Sequence, residues 1–323
     1  MTSDITLFVN PTAGRGRGAR ATRPAARVLR DAGFGVRTVL GEDARDALRR
    51  ARQAVAAGTD ALIAVGGDGV VSLALQAVAG TTTPLGVVAV GTGNDFARAS
   101  GLPVRHPEAA ARRIAGALKG DGGRPVDLGR VFRGDGTASG GSMQAGTWFG
   151  TVLASGFDSR VNDRGNRMRL PIGRLRYDVA VLAELAALRP LPYRIRFDDG
   201  PWQQVAATLI AVGNGDSYGG GMRICGDARM DDGLFDITIV GPCSRSTLLK
   251  VFPKVYKGTH LDHPRVTVRR AAKVALEAAP DGPPGTGPAA GAGSTGYADG
   301  EPLGPLPLTA ETVPGAVRLL GAQ

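Results

Sequence analysis

A chain of 323 residues with a net charge of +10 and only two cysteines, Cys225 and Cys243, has the length for two domains and too few thiols for a disulfide framework, which points to a reduced, cytosolic setting. No apolar run nears the ~20 residues that a membrane span needs, and no charged-plus-apolar leader precedes the first predicted strand, so neither a span nor a signal peptide is expected. The basic charge suits an anionic surface, but it lacks the interleaved aromatics of a nucleic-acid binder, so nucleic acid is not an expected partner.

In chain order, an apolar run at 5–9 ends in Asn10-Pro11-Thr12-Ala13-Gly14-Arg15-Gly16-Arg17-Gly18. A second, at 61–65, enters Gly66-Gly67-Asp68-Gly69, and a third, at 85–90, enters Gly91-Thr92-Gly93-Asn94-Asp95-Phe96-Ala97-Arg98. Amphipathic Ala/Arg/Leu segments near 19–32, 43–57 and 71–79 lie between and after them. This β–α–β–α alternation predicts a parallel sheet. Ligands collect at the carboxyl ends of such strands, where all three glycine-rich turns fall. The pattern breaks after Asp127-Leu128-Gly129-Arg130, and the Gly/Ser-rich residues 134–146 read as a mobile hairpin loop. Short alternating runs follow at 147–153, 193–197, 205–212, 234–240, 266–268 and 274–276, predicting an antiparallel, sandwich-like lobe. Helical stretches at 177–188 and 246–255 interrupt it. Residues 280–296, rich in Pro, Gly and Ala, read as a flexible insertion, and the last run, 315–320, is a candidate to return to the first lobe.

Glycines bracketing one acid at 66–69 bring backbone close to a ligand. Bare N–H groups cradle phosphate oxygens, and the carboxylate holds a metal or its water shell. Taken alone, the segment is as well read as a tight turn. Asp299-Gly300 reads on its residues as a hairpin turn, Asn10-Pro11 as turn punctuation, Asp95 and Asp127 as loop caps, and Arg98 as a surface helix residue. The cluster Arg160, Arg164, Arg167, Arg169, Arg174 and Arg176 is either a membrane-docking edge or a solvated face.

The ordered set of motifs resembles the diacylglycerol kinase catalytic domain family, which includes bacterial diacylglycerol kinases, sphingosine kinases and related lipid kinases. The set comprises NPTAG at 10–14, GGDG at 66–69, GTGNDFAR at 91–98, Ser155-Gly156-Phe157-Asp158, ARMDDGLFD at 228–236 and Asp299-Gly300-Glu301. The resemblance implies an α/β N-terminal lobe with a parallel sheet like that of NAD kinases and phosphofructokinases, at 1–130. It implies a mainly antiparallel β-sandwich lobe at 131–323 that carries the catalytic aspartate, with a tail returning to the first lobe. ATP and Mg²⁺ are the implied cofactors, and the implied partner is a lipid substrate at the membrane surface, reached by peripheral association from the cytoplasm. Oligomeric state is left open, a homodimer included.

Residue by residue, the resemblance makes Asp299 the proton acceptor, with Glu301 on the same strand face tuning it. Asn10, Thr12, Gly14 and Arg15 sit beside the nucleotide. Gly66, Gly67, Asp68, Gly69, Val70 and Val71 wrap the phosphates by backbone N–H groups, and Asp68 anchors Mg²⁺ or its waters. Thr92 contacts the nucleotide and Asn94 braces the turn. Asp95 and Asp127 hold an acid–water–Mg²⁺ network near Asp68, and Arg98 neutralises phosphate charge. Thr38 is the nearest match to the family's threonine after the second strand. A structural Mg²⁺ is implied on the Arg229 carbonyl, the Asp232 carboxylate and the Leu234 carbonyl.

The chain departs from the family after GGDG, where Val70 and then Ser72-Leu73 stand in place of threonine and Asn-Glu. Three readings follow: an active kinase converting diacylglycerol or a related lipid to phosphatidic acid or its analogue, an impaired or non-catalytic nucleotide/lipid-binding protein, and a NAD kinase.

Overall fold

The computed structural model describes residues 3–120, 122–134, 146–156, 190–279 and 295–322. The arginine cluster, the helical stretch at 177–188, Phe157-Asp158, nearly all of the 134–146 loop and most of the 280–296 insertion lie outside the described residues.

Strands β1 (Asp4–Val9), β2 (Gly35–Leu40), β3 (Ala61–Gly66) and β4 (Leu85–Ala89) form a parallel array in the order β2-β1-β3-β4. β3 and β4 are buried at every residue, because helices cover both faces of such a sheet. Alternation divides the work. Ile5, Leu7, Val9, Ile63 and Val65 pack with helices α1 (Ala13–Asp31) and α5 (Pro107–Lys119), and Phe8, Leu62 and Ala64 pack with α2 (Ala44–Ala56) and α3 (Asp68–Val78). A short helix, α4 (Asp95–Ala99), follows β4.

Two helices begin earlier than their periodicity predicts. α1 absorbs the glycine-rich stretch after Asn10 in an irregular first turn, with Gly14 and Gly16 at φ +59° and +83°. Glycine's freedom at positive φ permits that distortion. α3 starts at Asp68 itself, so the acid of the GGDG turn is the first residue of a helix.

The same sheet continues into the second half of the chain. β5 (Arg124–Arg133), which contains residue 130, pairs antiparallel with the last strand, β16 (Leu308–Leu319), and with β6 (Thr147–Phe149). β16 also joins β4 in parallel at Leu319↔Leu85, so the tail does return to the first lobe. Beyond β16 follow β13 (Lys273–Ala278), β8 (Leu191–Phe197) and β9 (Gln203–Ala207), completing a 10-stranded sheet.

A second, 6-stranded antiparallel sheet runs β12 (Val266–Ala271), β11 (Phe235–Val240), β10 (Leu209–Gly213), β7 (Val152–Gly156), β14 (Thr295–Ala298) and β15 (Glu301–Pro305). The predicted runs 147–153 and 205–212 each prove to be two strands, broken at Gly150-Thr151 and at Thr208. Between the sheets lies a core of Phe149, Tyr193, Ile210, Phe235 and Leu308, in which the Phe149 and Phe235 rings stack with centroids 5.7 Å apart. Helix α6 (Arg245–Val255), capped by the Ser244 hydroxyl accepting from Thr247 N, packs over Leu209, Met222 and Val240. Among the described residues no helix is long and apolar enough to cross a membrane.

Candidate active site

The carboxyl ends of β3 and β4 bring two glycine turns into backbone contact. Val90 N and Gly91 N both donate to Gly66 O, at 2.7 and 3.1 Å. A Cβ on Gly91 would collide with the Gly67 Cα. Buried Asn94, at φ +59°, locks the second turn: its Oδ1 accepts from Gly91 N at 2.7 Å and its Nδ2 donates to Gly91 O at 3.0 Å. This is the bracing expected of it. Asp68 then ties the turns together, Oδ2 accepting from Asn94 N at 2.6 Å and Oδ1 from Asp95 N at 2.7 Å. Gly91→Ala is therefore expected to cost about 1–3 kcal/mol of stability by overpacking. It is also expected to slow turnover by about 10²-fold through misplacement of the turns. Thermal melts and steady-state rates check both.

The N-terminal turn of α3 differs from expectation in one respect. Val70 N and Val71 N are not free for a phosphate; both donate to Gly67 O, at 3.1 and 3.2 Å. That leaves the N–H groups of Asp68 and Gly69, which precede the helix's first i→i−4 bond, as the donors a helix N-terminus offers an anion. The Val70 side chain is core, buried with Ala74 and Leu75, so an apolar residue is compatible with the position. Ser72 faces the cavity instead.

That cavity, of about 650 Å³, is lined by Asp68, Ser72, Thr92, Gly93, Asp95, Arg98, Arg105, Thr151, Tyr218, Gly219, Gly220, Tyr256 and Asp299. Both lobes contribute to it. Asp299-Gly300 is the two-residue turn between β14 and β15, with φ +50° and +84° and Ala298 paired to Glu301. The hairpin reading of this dipeptide is correct, and the turn places the Asp299 side chain on the cavity wall. The Asp299 carboxylate accepts from Gly150 N at 2.7 Å, Thr151 N at 2.8 Å and the Thr151 hydroxyl at 2.6 Å. Burial pushes its pKa up, and the Asp68 charge adds to that against these three hydrogen bonds. Asp95 accepts from Gly220 N (2.8 Å) and Gly221 N (2.8 Å), and burial followed by Asp68 repulsion also raises its pKa.

Glu301 requires a correction. Because Asp299 lies in the turn rather than in the strand, the two acids are not neighbours on one strand face. Glu301 instead reaches toward α3, its Oε1 being the nearest group, at 4.0 Å, to a Cβ built on Gly69. Asn10 and Thr12 form a local turn, Asn10 Oδ1 accepting from Thr12 N at 3.1 Å and from the Thr12 hydroxyl at 2.9 Å. The Arg15 side chain lies outside the described residues. Its neighbour Arg17 links the first turn to the others, Nε donating to Gly14 O at 2.9 Å and Nη2 to Gly91 O at 3.5 Å.

Two expected members stand apart. Thr38 is exposed in edge strand β2, opposite Leu7, and lines a separate hollow with Leu40, Arg50 and Gln53. β2 runs on past Thr38 to Leu40, so the threonine misses the strand end where the turns gather. Asp127 does not line the cavity. Its carboxylate accepts from Gly233 N and Gly315 N, both at 2.8 Å, which makes it a brace between the 229–234 turn and β16.

The expected structural Mg²⁺ site is built differently. Asp232 Oδ1 accepts from Leu234 N at 3.1 Å, and its Oδ2 is held by the Arg270 guanidinium, which also reaches Asp236 Oδ1 at 3.1 Å. Arg270 stands directly opposite Asp236 in the β11–β12 register. Arg229 turns to Asp231, Nε to Oδ1 at 3.1 Å. A guanidinium thus supplies the positive charge that a divalent ion would bring to Asp232, and both oxygens of the one carboxylate in the implied ligand set are already engaged. The expected results are a melting temperature unchanged by a chelator and a loss of about 1–3 kcal/mol in Arg270→Ala, which strands the buried Asp236 carboxylate. A chelator-sensitive melt would restore the metal.

Sequence reasoning passed over Tyr218-Gly219-Gly220-Gly221, whose backbone caps Asp95, although a triple glycine is a plain turn signal. It also passed over Arg105, at φ +63° on the cavity wall, and buried Asn214, whose Nδ2 donates to Asp127 O at 2.9 Å and Gly150 O at 2.8 Å. No local pattern marks either.

The chain is similar to known proteins over most of its length. The diacylglycerol kinase catalytic domain profile matches residues 4–131, and the YegS C-terminal NAD kinase beta sandwich-like domain profile matches 151–321. A diacylglycerol kinase of Mycobacterium tuberculosis (strain H37Rv) is 44% identical over 316 residues, covering 98% of this chain and 94% of the relative. A probable lipid kinase YegS-like of Xanthomonas axonopodis pv. citri is 31% identical over 257 residues, covering 76% and 77%. The crystal structure of a diacylglycerol kinase from Bacillus anthracis shares the fold, with a TM-score of 0.69 at 22% identity over 98% of this chain and 96% of that one.

Proposed function

Because the chain belongs to the family of diacylglycerol kinases and YegS-like lipid kinases, we propose that it transfers the γ-phosphoryl group of ATP to the hydroxyl of diacylglycerol or a related lipid, giving phosphatidic acid or its analogue. The observation that carries this reading is that Asp68 from the first lobe and Asp299 from the second line one cavity. The enzyme then works at the cytoplasmic membrane surface as a peripheral protein.

Phosphoryl transfer asks a protein for positioning, charge neutralisation and an aligned nucleophile. The N–H groups at the start of α3 and the abutting glycine turns provide a phosphate cradle, and Arg98 and Arg105 add positive charge on the cavity wall. Three carboxylates, Asp68, Asp95 and Asp299, line the same space, and burial, with the Asp68 charge adding to it, raises the pKa of the other two. That excess negative charge fits Mg²⁺ near Asp68, with Asp95 beside it, the remaining ligands being water and phosphate oxygens. When bound, the ion would offset charge on the transferring phosphate.

Asp299 acts as the base. As the lipid oxygen forms its bond to the γ-phosphorus, the bond to the bridging oxygen of ADP breaks and the hydroxyl proton passes to the Asp299 carboxylate. The raised pKa makes this carboxylate a better acceptor than an exposed one. The test is an acceptor panel of diacylglycerol, a sphingoid base and NAD with ATP and Mg²⁺, products identified by mass. Phosphatidic acid is the expected product; a phosphorylated dinucleotide formed without lipid would replace this reading with NAD kinase chemistry, and no product from any acceptor would leave a binding protein.

A further inference from the structure

Helix α6 stands at the rim of the reaction cavity. Tyr256, the residue after its end, lines that cavity together with Asp299. The helix's inner side, through Val251, Phe252 and Val255, covers a small apolar hollow against the six-stranded sheet. Tyr218 forms a wall common to the hollow and the reaction cavity. These contacts explain why the helix is held, but not its outer side. Leu249 is 57% exposed and Tyr256 51% exposed, and their spacing of about two helical turns puts them on one side.

Along the helix itself the charge has a single sign. Arg245, Lys250, Lys254 and Lys257 are all exposed, and no acidic residue occurs from 244 to 260. Among the described residues none of the four cations forms an ion pair. Exposed Leu and Tyr flanked by uncompensated basic side chains match an interface where apolar groups enter the acyl boundary and cations meet lipid phosphates. A purely electrostatic partner would make use of the cations and leave Leu249 unexplained.

We propose that α6 docks the protein on an anionic lipid bilayer, with the mouth of the reaction cavity at Tyr256 turned toward the membrane. The proposal builds on the reading that the acceptor is a membrane lipid, and it adds the surface through which that lipid is reached.

The test uses the full chain and a triple variant, Leu249→Ala/Lys250→Glu/Lys254→Glu, none of whose positions lines the reaction cavity. Binding is measured by co-sedimentation with vesicles of pure phosphatidylcholine or of phosphatidylcholine with phosphatidylglycerol. Turnover is measured on a water-soluble short-chain diacylglycerol and on long-chain diacylglycerol in the same vesicles. The unaltered protein is expected to prefer the anionic vesicles, and the variant to bind them at least tenfold more weakly. The variant should keep its rate on the soluble substrate within twofold while losing rate on the vesicles. Equal binding of the variant, or no preference of the unaltered protein for anionic vesicles, would overturn docking through α6. Absence of turnover on either substrate would instead strike the kinase reading, and the binding comparison would still decide the docking.

Discussion

Asp299→Asn is expected to slow phosphoryl transfer by about 10²–10⁴-fold, the range for loss of a positioned general base, while ATP binding persists. The proposed phosphate cradle lies in the first lobe, whereas Asp299 is anchored by Gly150 and Thr151 of the second, so binding and chemistry are expected to separate at this residue. Asparagine can still accept from Thr151 through its oxygen, but its amide must face the Gly150 N–H, a donor against a donor. A thermal melt therefore accompanies the rate measurement, and a folded variant with normal ATP affinity and lost turnover isolates the proton-accepting role.

The pH dependence follows from the same carboxyl. It must be ionised to accept a proton, and burial raises its pKa above the ordinary value of 3.8, so turnover should fall on acidification at a higher pH than an exposed aspartate would dictate. The stability effect has the opposite sign. A carboxyl whose pKa is raised on folding contributes most below its unfolded pKa, and that contribution is lost as the pH rises through the folded value. Asp95, raised for the same reasons, behaves alike.

The second large effect is expected at Asp68. Asp68→Ala removes the acceptor of two backbone hydrogen bonds, from Asn94 and Asp95, and the carboxylate that couples electrostatically to both buried acids. Leaving those two backbone donors without their acceptor is expected to cost about 1–3 kcal/mol. Loss of the charge that would hold Mg²⁺ is expected to lower turnover by about 10³-fold. Asp68→Asn separates the two contributions, since it keeps one acceptor and removes the charge. Its residual activity should show an acidic limb shifted to lower pH, because burial still raises Asp299 but the added repulsion from Asp68 is gone. Unchanged Mg²⁺-dependent turnover in Asp68→Asn would rule out this role.

Much of the first lobe was legible because parallel strands buried on both faces read as continuous apolar runs, and each run ends at a glycine turn. Helix starts were less so. Gly14, Gly16 and Gly18 look like a loop by composition, yet the chain folds them into α1, and Gly18 sits where a Cβ would strike the Asn10 carbonyl. The Asp299-Gly300 turn was singled out through its motif alone, since it has the residues of any tight hairpin and owes its place to the pairing of Ala298 with Glu301 across the turn. Asp127 shows the reverse case: the plain loop-cap reading of its residue type describes its two backbone bonds, and the metal-network reading does not.

Several of the failures come from separation along the chain. Arg270 meets Asp232, 38 residues away, only because β12 pairs with β11. Asp95 meets Gly220 across 125 residues. Thr38 misses the site because β2 is an edge strand that ends beyond it. Such meetings are fixed by sheet register and topology, which local spacing does not encode.

We propose that both lobes build one phosphoryl-transfer cavity with Asp299 as its base. The most direct test is label transfer from γ-labelled ATP to diacylglycerol in the presence of Mg²⁺, run side by side for the unaltered chain and Asp299→Asn at matched ATP occupancy. Labelled phosphatidic acid from the former and none above background from the latter is the predicted result. Equal labelling by the two, or no labelled lipid from either, would contradict it.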